Sequence, residues 1–250
     1  MTTFVCDGSF DGLMTALFDF YQLRPGPVKV VPKAVFEPTL LGSEHEVVTD
    51  EAKASRVWEG LRKKLDTTWL QRMHYAFLSE SPVAYQQLFD FARYIFDHAE
   101  GASANFGNES VRAVQQWAQM VSRERHRMKA FIRFQETMEG TFYAPVEPDF
   151  NVLPLIATFF RDRYADQKWI IYDIRRKYGL YYDLETVTQV TFEETPQVSP
   201  TSDVLSDKED LFGLMWKDYF KSTNIPARRN LKLHIRHVPK RYWKYLTEKR

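Results

Sequence analysis

Cysteine is almost absent: Cys6 is the single one in 250 residues, which excludes an internal disulfide and the paired-cysteine spacings of zinc ribbons and iron–sulfur sites. A chain of this length buries roughly 70–75% of its unfolded surface, so it needs neither cross-links nor a structural metal to hold a core. Long apolar runs are also missing. A membrane span requires roughly 18 such residues, whereas the best stretch, Val152 to Phe160, is broken by Pro154 and followed by Arg161. The first residues, Met1-Thr2-Thr3-Phe4-Val5, carry no basic side chain and reach Asp7-Gly8 before an apolar segment of signal-peptide length develops. These absences lead to the expectation of a soluble cytoplasmic protein with no membrane partner, no metal and no cofactor.

What is present is apolar enough for a packed interior: 44% of residues are hydrophobic and 15% aromatic, which excludes wholesale disorder. Charge is balanced overall at +1 but unevenly placed. From Lys221 to Arg250 there are ten Lys/Arg against one acid, Glu248, a local +9 that leaves −8 on the other 220 residues. A basic end on an acidic body suits a polyanionic partner, because the mutual repulsion of the cations needs an opposing charge; a solvated tail is the simpler alternative.

Periodicity predicts an α+β fold in one domain over 1–250. Phe4-Val5-Cys6 forms a strand, Asp7 to Gly12 a turn, and Leu13, Leu17, Phe18 and Tyr21 a helix, stopped by Arg24-Pro25-Gly26-Pro27. A loop with short strands runs to Val48. Residues 50–128 are helix-rich: Val57, Trp58, Leu61 and Leu65 mark one helix, Leu70, Met73 and Phe77 a second, Leu88 to Phe96 a third opened by Ser81-Pro82, and Val111 to Val121 a fourth. Residues 129–194 are sheet-rich and predict an antiparallel sheet with one intervening helix, Val152 to Tyr164. Its strands are a first hairpin, Phe131–Phe134 with Thr141–Ala144, then Trp169–Tyr172, Leu180–Tyr182 with Gly179 in a turn, and Val187–Phe192. A linker is expected at 195–206 and a basic helical segment at 207–250, with Pro226 and Pro239 dividing its last part.

Several stretches together resemble a known family: Asp7-Gly8-Ser9-Phe10-Asp11-Gly12-Leu13, Arg125-His126-Arg127-Met128, Asn151 to Ile156 with Phe160 to Tyr164, Trp169 to Asp173, and Asn224 to Leu246. The family is that of bacterial probable DNA metabolism proteins, built around a domain of unknown function. Its members are often fused to a uracil-DNA glycosylase-like domain or encoded beside a radical S-adenosylmethionine protein. The resemblance implies a process, DNA repair or modification, with DNA and one of those proteins as expected partners; it supplies no catalytic residues.

Two basic sets are the candidate nucleic-acid contacts. With a helix opened by Pro226, Arg228, Arg229, Lys232 and Arg236 share a face, continued by His237, Lys240 and Arg241, with an exposed Tyr242 or Trp243 as a base-stacking aromatic. The second set is Arg123, Arg125, Arg127, Lys129 and Arg133, of which Arg123 and Arg127 are the selected contacts. Beside the first set it would complete a groove; alone it is a solvated helix end favoured by the macrodipole. The Asp7–Gly12 turn lacks the Gly-Lys-Ser/Thr of a nucleotide loop, so Ser9 or Asp7 is expected to cap a helix. For acid–base chemistry His126, Asp162, Asp166 and Asp173 are the groups to inspect, and an enzyme with a site near His126 is one rival reading. An adaptor whose basic end docks an acidic partner protein is the other. His234 and His237 lack an evident third metal ligand.

Overall fold

The computed structural model describes residues 1–38, 42–192, 215 and 238–246. The fold is α+β, and the chain divides into two compact units, Met1–Ser122 and Arg123–Arg250. No helix among the described residues is long and apolar enough to cross a membrane.

The first unit opens with β1 (Thr2–Cys6), whose β-branched and aromatic residues suit a pleated surface. Helix α1 (Phe10–Leu23) follows, then β2 (Val28–Pro32), β3 (Ser43–Glu46), α2 (Glu51–Lys64), α3 (Thr67–Phe77), α4 (Pro82–Asp97) and α5 (Glu109–Phe131), whose last turns belong to the second unit. The strands form a parallel sheet in the order β2-β1-β3. The turn after β1 is tied by its own side chains: the Ser9 hydroxyl accepts the Gly12 N–H at 2.8 Å, and Asp7 accepts both the Ser9 N–H and the Thr49 hydroxyl. Burial raises the affinity of Asp7 for a proton, but these bonds outweigh it and hold the carboxyl below its ordinary range. The helix ends at Arg24, which takes a left-handed conformation (φ 49°). Phe4, Leu13, Leu17, Leu61, Met73, Phe89 and Phe91 form the centre of this unit's core.

The second unit contains β4 (Gln135–Glu136), β5 (Phe142–Val146), α6 (Leu153–Arg163), β6 (Trp169–Asp173), β7 (Tyr178–Tyr182) and β8 (Val187–Val190), and a 3-10 turn at Lys240–Tyr245. The sheet order is β4-β5-β6-β7-β8. The expected antiparallel sheet is in fact mixed, since β5 and β6 pair in parallel. The cause is α6: a helix between two neighbouring strands returns the chain to the starting end of the sheet, whereas the tight turns elsewhere reverse it. The predicted first hairpin is also shorter. Its first strand is only Gln135–Glu136, because α5 runs on through Phe131, its buried positions Val111, Val114, Ala118, Val121 and Met128 keeping helical spacing beyond Lys129.

Gly179 lies inside β7, opposite Tyr172, and not in the turn; Lys177 supplies the positive φ there. A Cβ at Gly179 would come within 2.8 Å of the Ile171 carbonyl and 2.9 Å of the Tyr172 ring. We expect Gly179→Ala to cost about 1–3 kcal/mol of stability through this overpacking, checked by urea denaturation; an unchanged midpoint would show that β6 and β7 can part without penalty.

Candidate nucleic-acid interface

The site in the second unit is organised by a buried acid. Glu124, on α5, is 1% exposed, and a carboxylate withdrawn from water must be hydrogen-bonded or paired. Four groups meet it. The Tyr242 hydroxyl and the Asp149 N–H (3.0 Å) donate to Oε1, while Arg241 Nη2 (3.0 Å) and Arg127 Nη1 (3.4 Å) approach Oε2. Arg241 also pairs with the Asp149 carboxylate at 2.6 Å and donates to the Tyr242 hydroxyl. Burial pushes the Tyr242 phenol far above its ordinary pKa, with the hydrogen bond to Glu124 adding to it. Tyr242 and Leu246, 2% and 1% exposed, dock this last stretch of chain, so Tyr242 is not the exposed stacking aromatic expected from the sequence: its ring is packed inside and its hydroxyl is held by Glu124.

Beside this network a cleft of about 450 Å3 is lined by Glu147, Pro148, Asp149, Arg175, Lys240, Arg241 and Lys244. Lys244 pairs with Glu147, and the Tyr245 hydroxyl donates to the same carboxylate at 2.9 Å. The hydrogen bond from Lys244 holds the Glu147 carboxyl below its usual range, while burial pushes the Tyr245 phenol up to about 12. Arg175 reaches the Asp149 carbonyl at 3.4 Å. Four cations thus stand against two carboxylates on the walls of the cleft, a surplus of positive charge.

The matched family model covers every residue of this network and cleft. The chain belongs to the domain-of-unknown-function family DUF4130 over residues 82–248. No curated protein and no solved structure matches the chain. The DUF4130 match starts at α4, so β1 to α3 precede it.

Of the predicted contacts, Arg127 and Arg241 are brought to one carboxylate, which joins the α5 set to the C-terminal set within the second unit. Lys240 is exposed on the cleft and has no acidic partner among the described residues. Trp243 is half-buried, its indole N–H donating to the Val238 carbonyl at 3.0 Å. Arg123 is exposed on α5. Lys129 lies over the Phe159 ring at 4.5 Å, and Arg133 donates to the carbonyls of Ala130 and Ile132 at the end of α5. Arg228, Arg229, Lys232, Arg236 and His237, with His234, lie outside the described residues.

The acid–base candidates do not assemble. His126 is exposed, and among the described residues no bond links it to the three aspartates. Asp162 pairs with Arg161, Asp166 occupies the turn before β6, and Asp173, fully buried, is held by Arg176 at 2.8 Å. No group of three metal-ligating side chains occurs among the described residues. Sequence reasoning missed Glu124, Glu147, Asp149 and Arg175. No local signal marks them, since each owes its place to a partner far along the chain, as Glu124 does to Tyr242.

Proposed function

We propose that this DUF4130 protein is a DNA-binding accessory or processing protein of DNA repair or modification, and that its second unit holds the phosphate backbone. The observation that carries the reading is the meeting of the two basic sets at Glu124, where Arg127 and Arg241 flank one buried carboxylate next to a cleft edged by Lys240, Lys244 and Arg175. Cations held by buried or paired acids lose less conformational freedom on binding than free side chains do. Phosphates displace condensed counter-ions when they meet such groups, which gives affinity without sequence preference. The stretch from Lys221 to Arg250, which includes Lys240, Arg241 and Lys244, carries +9, a charge that attracts phosphates over long range. A glycosylase-like or radical S-adenosylmethionine protein is the proposed source of the chemistry.

The test is fluorescence anisotropy of labelled single- and double-stranded DNA over a salt series. We expect binding that weakens with salt at a log–log slope of about −0.7 to −0.9 per phosphate contacted. A Lys240→Ala/Lys244→Ala variant should lower that slope by about two contacts, and Arg228→Ala/Arg229→Ala should lower it further. Absence of binding to either DNA at low salt would overturn the proposal.

A further inference from the structure

A cleft of about 880 Å3 that bears on no part of the reading above lies in the first unit between β2 and α4. Among the described residues β2 is an edge strand, paired with β1 on one side. The Pro27 carbonyl accepts the Thr2 N–H at 3.1 Å, so odd-numbered residues of this stretch turn their backbone groups toward β1. Alternation then turns those of Val28 and Val30 toward the cleft. The Val30 N–H is met there by Gln86 Oε1 at 2.6 Å, and Gln86 Nε2 donates in turn to Asp90 at 3.0 Å. A side-chain amide carbonyl from α4 therefore stands where the carbonyl of a neighbouring strand would stand.

Unpaired strand edges invite another chain and are usually blocked by charge, proline or a bulge. Here α4 packs along β2 and caps its edge at Val30 through the Gln86 side chain, which leaves by rotation about its own bonds. Both walls carry exposed apolar groups, Val35 (52%) from beyond β2 and Val83 (59%) from α4. The charged lining is acidic by one: Asp90, Asp97 and Glu109 against Lys29 and Arg93. Arg93 is taken by Asp90 at 3.7 Å and lies over the Phe20 ring; Asp97 accepts the Tyr21 hydroxyl at 2.7 Å and keeps its charge, so it and Glu109 are the acids that face a ligand cation, with Lys29 opposing them.

We infer that this cleft receives an extended basic peptide strand of a partner protein, added to the free edge of β2. The strand's carbonyl replaces Gln86 at the Val30 N–H, its apolar side chains rest on Val35 and Val83, and its Lys or Arg residues face Asp97 and Glu109. Main-chain bonds supply the affinity and the alternating side chains the selectivity. The five residues of β2 set the paired length at about 17 Å, or about five residues of the incoming strand.

The probe is a fluorescein-labelled octapeptide of alternating lysine and valine, titrated with the full chain. Two controls accompany it, the glutamate–valine analogue and the fully N-methylated lysine–valine peptide. The lysine–valine peptide is expected to bind at least tenfold more tightly than either control. Asp97→Lys/Glu109→Lys should weaken it at least tenfold. Gln86→Leu should strengthen it severalfold, because the Val30 N–H then has no internal acceptor to give up, an effect that attraction between charges alone does not produce. Equal binding of the three peptides, no binding, or binding indifferent to both variants would overturn the inference.

Discussion

Glu124→Ala is expected to destabilise the second unit by about 3–5 kcal/mol, the range for removing one member of a buried, hydrogen-bonded charge set. The substitution strips acceptors from four donors at once. Arg127 and Arg241 are partly exposed, with 30% and 38% of their side-chain surface accessible, and can turn back to water. Tyr242, 2% exposed, cannot do so as freely, and an unsatisfied buried group costs about 1–3 kcal/mol. Glu124→Gln keeps an acceptor oxygen but turns an amide toward the arginines, and should lose about half as much. Urea denaturation gives the free energies. Limited trypsin digestion gives the location, since cleavage after Lys240, Arg241 and Lys244 should accelerate in step with the lost stability. A variant that unfolds earlier while these sites stay protected would show that Glu124 does not hold the C-terminal stretch.

Trp169→Ala should cost about 3–5 kcal/mol as well, by a different cause. Trp169 is fully buried in β6, with the rings of Phe134, Phe160 and Tyr182 at 5.5–6.3 Å. These rings come from the segment before β4, from α6 and from β7, so one side chain fills the space between helix and sheet. Alanine leaves a cavity that three separate segments would have to move to close. Trp169→Phe retains most of the volume and should cost less than half as much. Equal losses for the two variants would place the cost in the indole itself and not in the vacated volume.

Much of the fold is legible in the sequence because helical and strand periods are local. α2, α3 and α4 follow from stripes such as Val57, Leu61 and Leu65, and α6 from Leu153, Ile156 and Phe160. The misreadings share a cause. The aromatic run Phe131–Phe134 has the composition of a strand, yet the buried stripe of α5 carries its first residue into a helix. Parallel pairing of β5 with β6 depends on where α6 returns the chain, which no window of residues records. The basic sets are visible as composition, but their meeting depends on Glu124, whose partners Asp149, Arg241 and Tyr242 lie 25 to 118 residues away.

That separation bears on how the chain is made. On the ribosome α5 emerges long before Arg241 and Tyr242 are synthesised, so until then the carboxylate of Glu124 has only Arg127, three residues on, and the Asp149 N–H, 25 residues on, as partners. Contacts so distant in sequence form late and slowly. The second unit therefore completes its packing only after residues 241–246 have emerged, and a nascent chain stalled before them leaves the Glu124 carboxylate and the surface that Tyr242 and Leu246 cover open to solvent and to chaperones.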